Sequence, residues 1–127
     1  MISPVWTFEQ YQTLSGRASI DDWRKSLKPY RRASCDRFLN RIACMDTWAN
    51  GMCDPIRGNW ELRWVAENVQ HRIFGYFGSA PHLFVMLHGC THKGKVYEPQ
   101  GCLETVDTRK KQIAQGKAST VAYELIR

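Results

Sequence analysis

The stretch His82-Leu83-Phe84-Val85-Met86-Leu87-His88-Gly89-Cys90 decides the fold. It is nearly all apolar, the mark of a β-strand covered on both faces. A strand of that kind needs neighbours, and the residues before it supply them. Trp60 to Glu67 alternates, with Trp60, Leu62 and Trp64 on one side and Glu61, Arg63 and Glu67 on the other. Gln70 to Phe77 reads as the next strand, and Gly78-Ser79-Ala80-Pro81 as the turn that delivers the chain to His82. Three strands joined by short turns make an antiparallel meander.

Further upstream, residues 4 to 14 are aromatic and Thr-rich with rough alternation, which suits a first strand. Ser19, with Asp22 three residues on, reads as the N-cap of a helix whose buried stripe is Ile20, Trp23 and Leu27. Pro29 stops that helix and opens another. Its apolar face is Phe38, Ile42, Met45 and Ala49, and it ends at Asn50-Gly51, with Asp54-Pro55 beginning a loop. Downstream, a basic loop over 92 to 98 leads to Pro99 and a last helix. That helix buries Leu103, Val106 and Ile113 and exposes Arg109, Lys110 and Lys111. In the tail Val121, Tyr123 and Leu125 alternate, as an edge strand or a docked segment. The expectation is one α+β domain over residues 1–127, in the order β-α-α-β-β-β-α. Its mostly antiparallel four-stranded sheet is covered by the N-terminal helical pair.

The chain has 18 Lys and Arg against 12 Asp and Glu, a net charge of +6. A small basic domain suits a polyanion, because each neutralised phosphate releases counterions. Seven Lys and Arg stand against Asp36 alone between 24 and 41, and six against three acids between 90 and 117. These stretches line one groove or sit on opposite sides; spacing does not choose. No apolar run approaches the ~20 residues of a membrane span. The five cysteines include no C-x-x-C, and no apolar leader region precedes the first charged residue, Glu9. That predicts free thiols in a reducing cytoplasm.

Four pieces in order carry a resemblance: Trp60-Glu61-Leu62-Arg63, Arg72-Ile73-Phe74-Gly75-Tyr76-Phe77, Leu87-His88-Gly89 with His92-Lys93, and Pro99 before the last helix. Together with Gly16-Arg17-Ala18-Ser19-Ile20, Trp23 and Leu27, they resemble the RelE/ParE superfamily, most of all HigB-like toxins and their phage-derived relatives. The resemblance covers nearly the whole chain. It implies a RelE-like fold and a toxin of a type II toxin–antitoxin system that cuts messenger RNA in the ribosomal A site without a metal or other cofactor. Its partners would be a helix-turn-helix antitoxin, mRNA and the ribosome. Where the family has Phe and Lys-Lys, this chain has Cys90 or Thr91 and then His92-Lys93.

Attack of a 2′-hydroxyl on the adjacent phosphorus needs a base, cations around the non-bridging oxygens and an acid for the leaving 5′-oxygen. Arg72 matches the family's central-strand arginine. Alternation puts it with Phe74 and Tyr76, as charge beside a stacking platform. His92 stands where the family has lysine and can move a proton near neutral pH. Lys93 and Lys95 are the electrostatic groups, and Tyr97 an acid or stacking partner. Arg63, Tyr76, Arg109 and Lys110 complete the expected RNA-binding set. Structural alternatives stand beside these roles. Arg72 pairs with Glu61 or Glu67, Arg63 pairs with an acid on a helix, His88 is a histidine at the core edge, and Lys95 is a solvated loop charge. His88, Cys90, His92 and Cys102 are the candidate ligands for a zinc ion, but His88, Cys90 and His92 on a strand fan out over ~13 Å, too far for all three to reach one ion without a bulge. A second functional class is a non-catalytic relative that binds a topoisomerase, nucleic acid or another protein.

Overall fold

The computed structural model describes residues 3–127. Its elements are β1 (Thr7–Thr13), α1 (Ser19–Ser26), α2 (Pro29–Ala43), β2 (Cys53–Ile56), β3 (Asn59–Ala66), β4 (Val69–Phe77), β5 (Leu83–Lys93), β6 (Val96–Glu98), α3 (Cys102–Ala114) and β7 (Ala118–Tyr123). The strands form one sheet in the order β2-β3-β4-β5-β1-β7, with β6 also paired to β5. All pairings are antiparallel except β1 with β5, which is parallel. The molecule is therefore α+β, but the expected four-stranded sheet under an N-terminal helical pair is wrong. Seven strands form a mixed sheet, and the helices are spread through the chain.

The extra strands have identifiable causes. Asp54-Pro55 was expected in a loop, but β2 is the outermost strand of the sheet, where proline costs no ladder hydrogen bond. The basic loop proves to be a hairpin. β5 runs on to Lys93, turns at Gly94-Lys95 with Gly94 at φ 64°, and returns as β6. The tail forms β7, an edge strand against β1. The second helix ends at Ala43, not at Asn50; Trp48 folds back and donates from Nε1 to Ile42 O at 2.9 Å.

α1 starts where expected, but Ser19 is not its cap. Gln10 on β1 accepts from the backbone N–H groups of Ile20 and Asp21 at 3.0 and 2.9 Å, satisfying two donors of the first turn. Each face of the sheet then carries its own core. α1 and α2 cover Phe8, Leu62, Trp64, Ile73, Phe84 and Met86. On the opposite face α3 covers Tyr11, Phe74, Leu87 and Cys90 through Cys102 and Val106. Val106 is buried as expected, Leu103 and Ile113 only partly so.

A bulge decides which side chains reach which face. Phe74 pairs with His88 but Gly75 pairs with Met86, so Leu87 is an extra residue. Phe84 and Met86 face the helical pair, whereas Leu87, His88, Cys90 and His92 follow on the α3 face. A Cβ on Gly75 would lie 2.0 Å from Val85 O, and one on Gly89 would lie 2.2 Å from the Trp23 ring. Both glycines are thus needed for close approach, one at the bulge and one under α1.

Candidate functional site

On the α3 face, beyond the helix, the paired strands β3, β4 and β5 present a polar group. Arg72 is opposite both Arg63 and Cys90 in the ladders. It is only 7% exposed, and Glu61 only 6%. Arg72 Nη1 donates to both carboxylate oxygens of Glu61, at 3.0 and 3.1 Å, and Nη2 donates to Gln70 Oε1. The same Nη2 lies 3.5 Å from His92 Nδ1. Of the two acids considered for Arg72, Glu61 is the partner, while Glu67 pairs with Arg31 at 3.3 Å. Arg63 donates to Asp54 at 2.9 Å and lies 3.8 Å from Glu61, so its acids are on strands rather than on a helix. The Gly51 N–H and the Arg63 guanidinium hold the Asp54 carboxyl below its ordinary range.

The β5–β6 hairpin adds the proton-transfer candidates. His92 and Tyr97 are cross-strand partners, and their rings stack with centroids 4.3 Å apart and planes 12° apart. Tyr97 also meets Phe74 edge-on at 6.2 Å. Lys93 and Lys95 are exposed at the hairpin tip, without an ion pair among the described residues. Of the five residues expected to act on RNA, Arg72, His92 and Tyr97 converge, and the two lysines flank them. The expected stacking platform is altered, because Phe74 is fully buried and only Tyr76 retains partial exposure.

The remaining RNA-binding candidates lie farther along α3. Lys110 sits 5.4 Å over the Tyr76 ring and donates to Gly58 O at 3.1 Å. Arg109, expected on the exposed side, is half-buried. It lies 4.8 Å over the Tyr11 ring and donates to Leu87 O at 2.8 Å and His88 Nδ1 at 3.0 Å. Burial, and then the neighbouring Arg109 charge, push the His88 pKa down to about 4, so the imidazole is neutral. Arginine only donates, so Nδ1 accepts and Nε2 carries the proton.

Sulfur chemistry departs from expectation. Cys90 and Cys102 are joined in a disulfide, whereas Cys35 and Cys53 are free thiols. Cys90 lies on β5 and Cys102 opens α3, so the packing of that helix on the strand brings the two together. The donor atoms of His88, Cys90 and Cys102 all lie within 4.8 Å of one another, while His92 stands outside this group. Strand spacing argues only against His88, Cys90 and His92 meeting at one point; Cys102, the fourth candidate, joins His88 and Cys90 from α3. The cluster is not arranged for a metal, since the sulfurs are bonded to each other and Arg109 leaves the His88 proton on Nε2.

Sequence reasoning missed Asp54, which neutralises Arg63, and Gln70, which accepts a hydrogen bond from Arg72. Asp54 was hidden in a dipeptide with strong turn character. Among the described residues no helix is long and apolar enough to cross a membrane. Comparison with protein-family models, with curated proteins and with solved structures finds no match.

Proposed function

We propose that this chain is a metal-independent endoribonuclease toxin, acting on messenger RNA at the ribosome in the cytoplasm and neutralised by a helix-turn-helix antitoxin. The observation that carries the reading is the stacked His92–Tyr97 pair, with the Arg72 guanidinium beside it and two unpaired lysines on the same hairpin. His92 takes the proton of the 2′-hydroxyl as its oxygen attacks phosphorus. Tyr97 gives a proton to the departing 5′-oxygen, and Lys93 and Lys95 hold the non-bridging oxygens. Arg72 is committed to Glu61 and Gln70, so it is a structural residue rather than a phosphate clamp, and its 3.5 Å approach to His92 Nδ1 is too long to fix the imidazole tautomer, which leaves a ring nitrogen open to take the proton.

The test is induction of the wild type and of His92→Ala and Tyr97→Phe in cells, following growth and mapping new transcript 5′ ends. The wild type is expected to arrest growth and cut transcripts. His92→Ala should lose about 100-fold or more of the cleavage rate while remaining folded. Absence of cleavage by the wild type, or full cleavage by His92→Ala, refutes this assignment. One observation favours the binding class instead: Glu61 and Asp54 already neutralise both sheet arginines. A topoisomerase-binding or other non-catalytic protein would arrest growth with transcripts intact.

A further inference from the structure

β1 pairs with β5 only as far as Met86, and β6 takes up the same edge of β5 at Thr91. Between them this edge is open, and a cleft of about 550 Å³ lies there, between α1 and the start of α2 on one side and α3 on the other. Its polar lining includes Ser19, Lys28, Arg31, His88, Thr91 and Arg109. Trp23, Leu27 and Pro99 form an apolar wall. Gly89 lets Trp23 lie flat against the strand.

Two features of this cleft lack a counter-charge. Arg109 is desolvated enough that burial lowers its pKa. Yet its hydrogen-bond partners are a carbonyl and a neutral histidine, and no carboxylate pairs with it among the described residues. Even half-buried and resting on the Tyr11 ring, a guanidinium withdrawn from water is better satisfied with an anion beside it. The second feature is the N-terminus of α2, a 15-residue helix with no acid in its first turn. Aspartate or glutamate normally occupies that position; here Lys28 and Arg31 stand there. Arg31 is partly answered by Glu67 at 3.3 Å, and Asp22, on the cleft wall, is held by Arg17 at 3.2 Å. Glu98 is the remaining acid of the lining.

From this convergence we infer that the cleft binds a nucleoside monophosphate group, with the phosphate between Arg109 and Lys28 and the base against Trp23. The group comes from a free nucleotide or from the 5′-phosphorylated end of an RNA strand; both present the same chemistry. The helix N-terminus adds backbone donors and a favourable dipole for the phosphate. An aromatic wall beside a cation suits a base because every base offers a π-face. The cleft shares Thr91 and Glu98 with the hairpin but uses none of the residues assigned to the cleavage chemistry.

Calorimetric titration tests it on the full chain carrying His92→Ala, so that hairpin activity does not consume the ligand. The probes are 5′-AMP, adenosine, inorganic phosphate and a 5′-phosphorylated tetranucleotide. AMP is expected to bind at least about tenfold more tightly than adenosine, with the difference shrinking as salt rises. A tetranucleotide at least tenfold tighter than AMP identifies the RNA end as the source, and equal affinity identifies the free nucleotide. Arg109→Met should weaken AMP by about tenfold or more. Lys28→Met, at an exposed side chain with the backbone of the cap unchanged, should weaken it several-fold. Adenosine binding as tightly as AMP, no binding of AMP or the phosphorylated tetranucleotide, or unchanged affinity in Lys28→Met overturns the assignment.

Discussion

Glu61 and Arg72 are each almost wholly withdrawn from water, and each supplies the charge that makes the other tolerable. Removing one partner of a buried pair leaves an unanswered charge, which costs about 3–5 kcal/mol. Glu61→Ala is therefore expected to lower stability by about 3 kcal/mol in urea titration. The double variant Glu61→Leu/Arg72→Met should recover much of that loss, since apolar replacements leave no orphan. A Glu61→Ala protein as stable as the wild type would mean that Arg72 escapes to solvent and that the pair is not structural. This ion pair was legible as an alternative because Glu61 and Arg72 alternate onto matching faces of adjacent strands. The choice between Glu61 and Glu67 was not, because it depends on ladder register.

At the scale of elements, the β5–β6 hairpin carries the proposed chemistry, and the disulfide closes its base. Cys90 and Cys102 are 12 residues apart, and the loop between them contains His92, Lys93, Lys95 and Tyr97. Both cysteines are buried, at 0% and 2% exposure, so the bridge is also part of the α3 core. Cys102→Ser is expected to cost about 2–4 kcal/mol, chiefly by releasing the loop in the unfolded chain. Amide exchange over residues 91–98 should accelerate more than exchange over β3 and β4, and mass-spectrometric hydrogen exchange measures both. Uniform acceleration across the sheet would show that the bridge stabilises the whole fold without holding the hairpin. The strand patterns of β3, β4 and β5 were readable because apolar alternation is local. β6 was hidden in a short basic segment whose strand character comes entirely from pairing with β5.

Across the whole molecule, two histidines are held neutral by burial. The His88 pKa is pushed down to about 4, and that of His71, fully buried against Trp64, is also lowered. In the unfolded chain each titrates near its ordinary 6.5. Below that value the unfolded state binds protons that the folded state refuses, so stability is complete above about pH 6.5 and falls on acidification. For His88 the loss continues until about pH 4, at up to about 1.4 kcal/mol per pH unit. Urea unfolding at pH 7.5 and pH 5 should therefore show a smaller drop for His88→Gln than for the wild type. Equal drops would remove His88 as a source of the acid sensitivity.

The sequence by itself determined what local periodicity and composition can carry. These are the α+β class, the meander of β3 to β5, the start of α1 and of α2, and the basic character of the chain. It also placed His92 and Tyr97 in one short segment with two lysines. Tertiary structure alone decided the parallel pairing of β1 with β5, because that contact joins segments more than 70 residues apart in the chain. The bulge at Leu87 depended on it too. One extra residue turns the histidines of β5 onto the α3 face, and the strict alternation read from sequence puts them on the other. The Cys90–Cys102 bridge and the open edge beneath Arg109 follow from that turn. They arise from long-range packing, to which no residue pattern within a single element responds.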